Sequence, residues 1–200
     1  MNKLFDQRVY QKFEVLDYRH ASTILKNDFP KEFDELNTHL SEFELLHSEI
    51  LTPGGRKSPV AQNFDNALYS NGWEEKSWDV NIEVDGHEHP SPTHQVDYYR
   101  NRVAIELEWN NKDPFYDRDL NNFRLLHELN IISVGVIVTR STQLQEVFNE
   151  LGRGKSYGSS TTHVSKLLPK VEGGGSAECP LIIFAIKPEA CVDDVRNNLQ

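Results

Sequence analysis

Apolar side chains recur every three or four residues from about Ala21 to Glu49, at Leu25, Phe29, Phe33, Leu36, Leu40, Phe43 and Leu46. That spacing lines one face of a helix, and Pro30 predicts an interruption in it. The stretch Leu51-Thr-Pro-Gly-Gly-Arg-Lys-Ser58 reads as a loop. Ser58-Pro59 then opens another helix, with a capping hydroxyl followed by proline in the first turn. Val60, Phe64, Leu68 and Tyr69 mark its inner side, and Asn71-Gly72 ends it.

After the polar, proline-broken connection from Gly86 to His94, the period changes to two. Val96–Tyr99 and Arg102–Trp109 read as strands joined by a short turn at Arg100-Asn101. Asp113-Pro114 caps a helix to about Leu129, in which Leu120, Phe123, Leu126 and Leu129 keep helical spacing. Ile131–Val138 is almost continuously apolar, as a central strand buried on both faces should be. A helix over about Thr142–Leu151, a Gly/Ser/Thr-rich loop over Gly152–Thr162 and a short helix near His163–Leu168 follow. A glycine loop at Gly173–Gly175 and a last strand, Leu181–Ile186, complete the pattern. Hairpin, helix and buried strand in that order predict an α/β domain with a mixed central sheet flanked by helices.

Composition adds scale. At 200 residues, 38% hydrophobic, the chain suits one domain over 1–200. It divides into a helical part at about 15–72, a hairpin-bearing core at about 73–140 and a later region at about 141–187. No apolar run reaches the length of a membrane span. Met1–Tyr10 carries Lys3, Asp6 and Arg8 and has no signal-peptide core. Cys179 and Cys191 form no metal-type pair or disulfide framework. The expectation is a cytoplasmic protein.

The net charge of −10 speaks against a nucleic-acid partner until it is divided along the chain. Residues 72–113 hold four basic and ten acidic groups. From Arg140 to Val171, Arg140, Arg153, Lys155, Lys166 and Lys170 oppose only Glu146 and Glu150. Acidity is therefore concentrated around the hairpin, and the basic stretch comes later.

In that hairpin, Val103, Ile105, Leu107 and Trp109 point one way, while Ala104, Glu106 and Glu108 point the other. Two carboxylates thus share a face about 7 Å apart along the strand. Asp97, nine residues before Glu106, reaches the same edge if the chain turns near Asn101. Alternating acids ordinarily mark a solvated face. Here the opposite face is apolar and a helix and buried strand follow directly, so the hairpin belongs to the core sheet. A hard cation such as Mg²⁺ would relieve the mutual repulsion and suits phosphodiester hydrolysis. A rival metal reading is Zn²⁺ on His87, His89 and His94, although their spacing within a proline-rich loop matches no established ligand pattern.

Several stretches together resemble the BglII and BstYI type II restriction endonucleases, members of the PD-(D/E)xK nuclease fold related to BamHI. They are Asp17–Leu25; Ser58–Asn63 running to Gly72-Trp73; Asp97 with Arg102–Glu106; Val134-Gly-Val136; Tyr157–Ser160; and Glu172–Gly175 with Pro180–Ile183. The resemblance covers roughly residues 15–187. It implies a restriction-endonuclease-like core, with catalysis in 73–140 and DNA recognition in 141–187. It places Mg²⁺ on Asp97, Glu106 and the Leu107 carbonyl. Glu108 stands where most of the fold has lysine, and the resemblance gives it a role in handling the attacking water or a second metal. Val96 occupies the position of the proline in the motif. A further polar group often joins from the preceding helix, which makes Asn63, Glu74 and Glu75 candidates.

The resemblance also implies a homodimer on double-stranded DNA, reading a short palindrome, for which a GATC-centred site is the reference. Amides, hydroxyls and basic groups suited to groove edges occur at Asn110, Asn111 and Lys112, and at Arg153, Lys155, Ser159, Ser160, Thr161 and Lys166. The competing readings are a non-catalytic DNA-binding module and a repair nuclease that cuts by structure.

Overall fold

The computed structural model describes residues 3–52, 57–90, 94–158 and 160–195. The N-terminal part holds α1 (Gln7–Lys12), β1 (Phe13–Tyr18), α2 (Ala21–Asp28), α3 (Pro30–Glu42), β2 (Leu45–Leu46), α4 (His47–Leu51) and α5 (Pro59–Tyr69). The break between α2 and α3 falls at Pro30, which opens α3, where no donated N–H is required. The Ser58 hydroxyl accepts the Ala61 N–H at 3.1 Å and starts α5 as expected; residues 53–56 of the preceding loop lie outside the described residues. Next come β3 (Glu74–Trp78), β4 (Asn81–Val84), β5 (His87–Pro90), β6 (His94–Arg100), β7 (Val103–Glu108) and α6 (Phe115–Glu128). The last elements are β8 (Val134–Arg140), α7 (Leu144–Glu150), α8 (Val164–Glu172), β9 (Leu181–Ile186) and β10 (Cys191–Val192).

Among the described residues the main sheet has the order β1-β9-β8-β7-β6-β3. Strands β7, β8 and β9 run parallel, and β1, β6 and β3 add antiparallel. The mixed sheet flanked by helices is the predicted architecture. Every position of β8 and β9 is buried, which is why both read as unbroken apolar runs. One face packs on the N-terminal helices and α7 through Leu36, Leu40, Phe64 and Phe148. The other packs on α6 and α8 through Tyr116, Leu120, Phe123 and Leu167.

The structure corrects some boundaries. The hairpin turn sits at Asn101-Arg102, both at positive φ (43° and 69°), so β6 extends through Arg100. Residues 87–90 are not a plain connection but β5, paired with β4 around Asp85-Gly86. β5 itself has no apolar alternation, although Trp78, Val80, Ile82 and Val84, leading into and through β4, alternate with polar residues as a strand does; residues 91–93 after β5 lie outside the described residues. The buried strand begins at Val134 rather than Ile131, because the Ile131 and Ile132 N–H groups close the end of α6 on the Leu126 carbonyl. Helix α6 has no side-chain cap, since Asp113 pairs with Lys166 at 3.2 Å instead. Helix α8 continues past Leu168 to Glu172, with Pro169 inside it.

Candidate active site and DNA interface

Strand β7 divides its side chains as the alternation requires. Val103, Ile105, Leu107 and Trp109 join the core under the N-terminal helices, and Ala104 joins the core under α6. Glu106 and Glu108 are not on a solvated face; they are 0% and 1% exposed. Asp97 sits where β6 and β7 part, beyond the last ladder pair, Tyr98–Ile105. Its carboxylate accepts the Leu107 N–H at 2.9 Å, and its own N–H donates to Glu106 Oε2 at 3.3 Å. Asp97 and Glu106 are thus brought together in the geometry the hairpin implied.

Sequence reasoning missed Asp119. It lies on α6, fully buried, between Tyr116 and Phe123 on the helix face turned to the sheet. A carboxylate on an otherwise apolar helical stripe was the available signal. The Arg118 guanidinium binds Asp119 at 2.8 Å, lies 3.7 Å from Glu108 and caps the group from the solvent side.

Burial dominates the electrostatics here. It raises Glu106 well above the ordinary carboxylate range, reinforced by Asp119 and Asp97. Glu108 is pushed up to about 9 by burial and by neighbouring Asp119. Asp119 rises to about 6, with Arg118 opposing the effect of burial. Asp97 is raised less, because the Leu107 N–H stabilises its charged form.

Glu106 Oε1, Glu108 Oε2 and Asp119 Oδ2 are buried without a hydrogen-bond partner. Such atoms are costly unless something positive meets them. A hard cation would satisfy them, so the donor set fits Mg²⁺. Among the described residues, no three carboxylate, imidazole or thiol side chains already converge as a cage. Asp97, Glu106 and the Leu107 carbonyl would hold the cation.

Asp97 and Leu107 line a cleft of about 950 Å³ together with Glu75, Asn110, Asn111 and Arg153, whereas Glu106, Glu108 and Asp119 are not part of its wall. Glu75 therefore faces the cleft, and it accepts a hydrogen bond from Gln95. Glu74 is exposed and pairs with Lys76 at 3.1 Å. Asn63 is half-buried in α5, with its side-chain carbonyl unpartnered.

The two segments expected to read DNA meet each other. The Thr162 N–H donates to the Asn111 carbonyl at 2.9 Å, Lys112 bridges Thr161, and Asn110 Nδ2 donates to the Ser156 carbonyl at 3.3 Å. Lys112, Lys155 and Ser160 are exposed. The Arg153 guanidinium donates to the Thr52 carbonyl at 3.4 Å, and Lys166 is held by Asp113. The Thr161 hydroxyl is engaged inside the loop, donating to the Gly158 carbonyl at 2.8 Å. Ser159 lies outside the described residues. Of the histidines considered for zinc, His94 is buried with Nδ1 2.8 Å from Asn122 Oδ1, and His87 is exposed on β5.

A family model described as restriction endonuclease BglII/BglIII matches residues 13–186. The chain belongs to the BglII/BglIII restriction endonuclease family. The matched span runs from the start of β1 to the end of β9 and so takes in the whole main sheet. Family membership makes the chain a nuclease that acts on DNA. No match is found among the curated proteins. No helix among the described residues is long and apolar enough to cross a membrane.

Proposed function

We propose that this member of the BglII/BglIII family is a type II enzyme. It hydrolyses phosphodiester bonds in double-stranded DNA at a short palindrome, with Mg²⁺ as cofactor and as a homodimer. What supports the reading is the set of buried, unpartnered carboxylate oxygens on Glu106, which contacts the cleft-lining Asp97, and on Glu108 on the same face of β7.

Asp97 and Glu106, with the Leu107 carbonyl, hold the cation. When bound, that ion supplies charge neutralisation at the phosphoryl group and an acidified water. Glu108, whose raised pKa a bound cation would lower, would orient the attacking water or take its proton, and Arg118 and Asp119 fix the Glu108 side chain. Asn110, Asn111 and Lys112 lie beside the scissile phosphate because they continue directly from the catalytic strand. Lys155 and Lys166 contact the backbone, while Ser160 and neighbouring groups face base edges.

Incubating the purified protein with unmethylated phage DNA, with Mg²⁺ or with EDTA, tests this. Discrete Mg²⁺-dependent bands are the expected outcome, with GATC-centred palindromes the first ends to look for. A smear would replace sequence-specific with structure-selective cutting. Intact DNA in every lane, including DNA of several sequences and modification states, would reduce the chain to a binding module.

A further inference from the structure

The most deeply buried cation in the fold is not in the carboxylate group. Arg140, the last residue of β8, is 1% exposed. Among the described residues its partners are not carboxylates. Nε donates to the Thr162 carbonyl at 2.8 Å, and Nη1 donates to Gln145 Oε1 at 3.2 Å. Nη2 reaches the Tyr157 carbonyl at 2.9 Å and the Thr161 hydroxyl at 2.6 Å. The guanidinium also stacks 5.3 Å from the Phe148 ring, which itself stacks on Tyr157 at 4.0 Å.

Burying a guanidinium costs free energy, and here neutral acceptors compensate for it. Nearly all of them belong to one segment, residues 157–162. The same segment is tied to the strand that carries the acids: Thr162 Oγ1 donates to the Glu108 carbonyl at 3.2 Å. Thr139, next to Arg140, donates to that carbonyl as well, at 2.9 Å. The Arg140 fork holds the basic loop, and Thr162 and Thr139 link it in turn to the end of β7.

We propose that Arg140 is a positioning residue that presets Tyr157, Gly158, Thr161 and Thr162 and couples base reading in that loop to the placement of Glu108. The inference rests on the nuclease reading above. Lysine cannot reproduce this fork, because a single ammonium cannot span the Thr162 and Tyr157 carbonyls together with Gln145.

Hydrogen–deuterium exchange and cleavage assays on the full chain test this with Arg140→Lys and, as a milder change, Thr162→Val. In Arg140→Lys, amides of residues 158–162 and of Asp113 should exchange at least about tenfold faster, while β8 and β9 stay protected. Discrimination between the cognate site and sites with one changed base should fall by about tenfold or more, with salt dependence unchanged. Thr162→Val should lower kcat several-fold at the cognate site with KM nearly constant.

Unchanged loop exchange in Arg140→Lys overturns the proposal. So does a general loss of protection across the sheet with discrimination intact in the remaining activity, which is the mark of a merely structural arginine. If the wild-type protein cuts no DNA, the nuclease reading fails by itself. The exchange experiment then decides Arg140 alone, with selective loop release supporting the positioning role and its absence refuting it.

Discussion

Gly135 is the second residue of β8, directly under the ring of Phe123 on α6. A Cβ at this position would stand 2.7 Å from Phe123 Cδ2, 2.9 Å from Cε2 and 3.0 Å from Cγ. Carbon atoms pack at about 3.5–4.0 Å, so a methyl group overlaps the ring face by roughly half an ångström or more. The ring cannot simply swing away, because it is fully buried between the sheet and its neighbours on α6. Gly135→Ala should therefore push α6 off the sheet, at an overpacking cost of about 1–3 kcal/mol.

Replacing glycine in a strand returns about 0.5–1 kcal/mol of backbone entropy. The net expectation is a loss of about 1–2 kcal/mol, or about 2–8 °C in Tm for a chain of this size. Urea unfolding at pH 7 measures it directly. Phe123→Leu, which removes the ring face, should rescue Gly135→Ala with a coupling above about 0.5 kcal/mol in the double-mutant cycle. Because α6 also carries Asp119, cleavage should fall with stability. An unchanged or raised urea midpoint in Gly135→Ala, or zero coupling to Phe123, would refute the packing argument.

Three other outcomes follow from the same structure. Asp97→Asn and Glu106→Gln should each abolish cleavage, with DNA binding in gel shifts kept in Glu106→Gln, because burial already holds that carboxyl neutral, and kept or strengthened in Asp97→Asn, which removes an acid facing the cleft; a variant that still cuts near the wild-type rate would mean the metal lies elsewhere. Arg100 ties β6 to α3 by pairing with Glu32 at 3.4 Å and Glu35 at 2.9 Å, and Glu35 also accepts the Trp73 indole N–H. Arg100→Met should cost about 3 kcal/mol in urea unfolding by leaving buried Glu32 without its partner and half-buried Glu35 with the Trp73 indole, and adding Glu32→Gln should recover much of it.

His39 sits edge-on to Phe64 at 4.5 Å, and burial lowers its pKa from 6.5 to about 4. The unfolded chain then binds the extra proton between those values, so this contribution is complete above pH 6.5 and is lost as pH falls toward 4. It amounts to about 3 kcal/mol at 1.36 kcal/mol per pKa unit. His39→Phe should flatten the difference in urea midpoint between pH 7 and pH 5, and an unaltered slope would contradict it.

Much of this protein is written locally. The helical stripes of α3, α5 and α6, the apolar runs of β8 and β9 and the alternation of β7 depend on neighbours a few residues away, so periodicity reports them faithfully. The Asp97–Glu106 relation is almost as local, because one tight turn at Asn101-Arg102 sets it. The sequence could also state which face of β7 holds Glu106 and Glu108, since that follows from the pleat alone.

It could not state that both are buried. That depends on α6 folding back over the strand, a contact made only in the assembled sheet. Asp119 enters the carboxylate group by the same packing. Likewise, β1 is a half-buried edge strand whose partner β9 lies more than 160 residues along the chain, so its mixed pattern gave no strand signal. The basic loop offered candidate DNA contacts but no sign of its own order, because glycine, serine and threonine carry no periodicity. Its order comes from Arg140, which looks like the polar end of an apolar strand until the tertiary structure seals it from water. Sequence thus determined the elements and the pairing across one hairpin. Burial, and with it the electrostatics of the site, was decided by contacts distant in sequence, because desolvation belongs to the packed whole rather than to any segment.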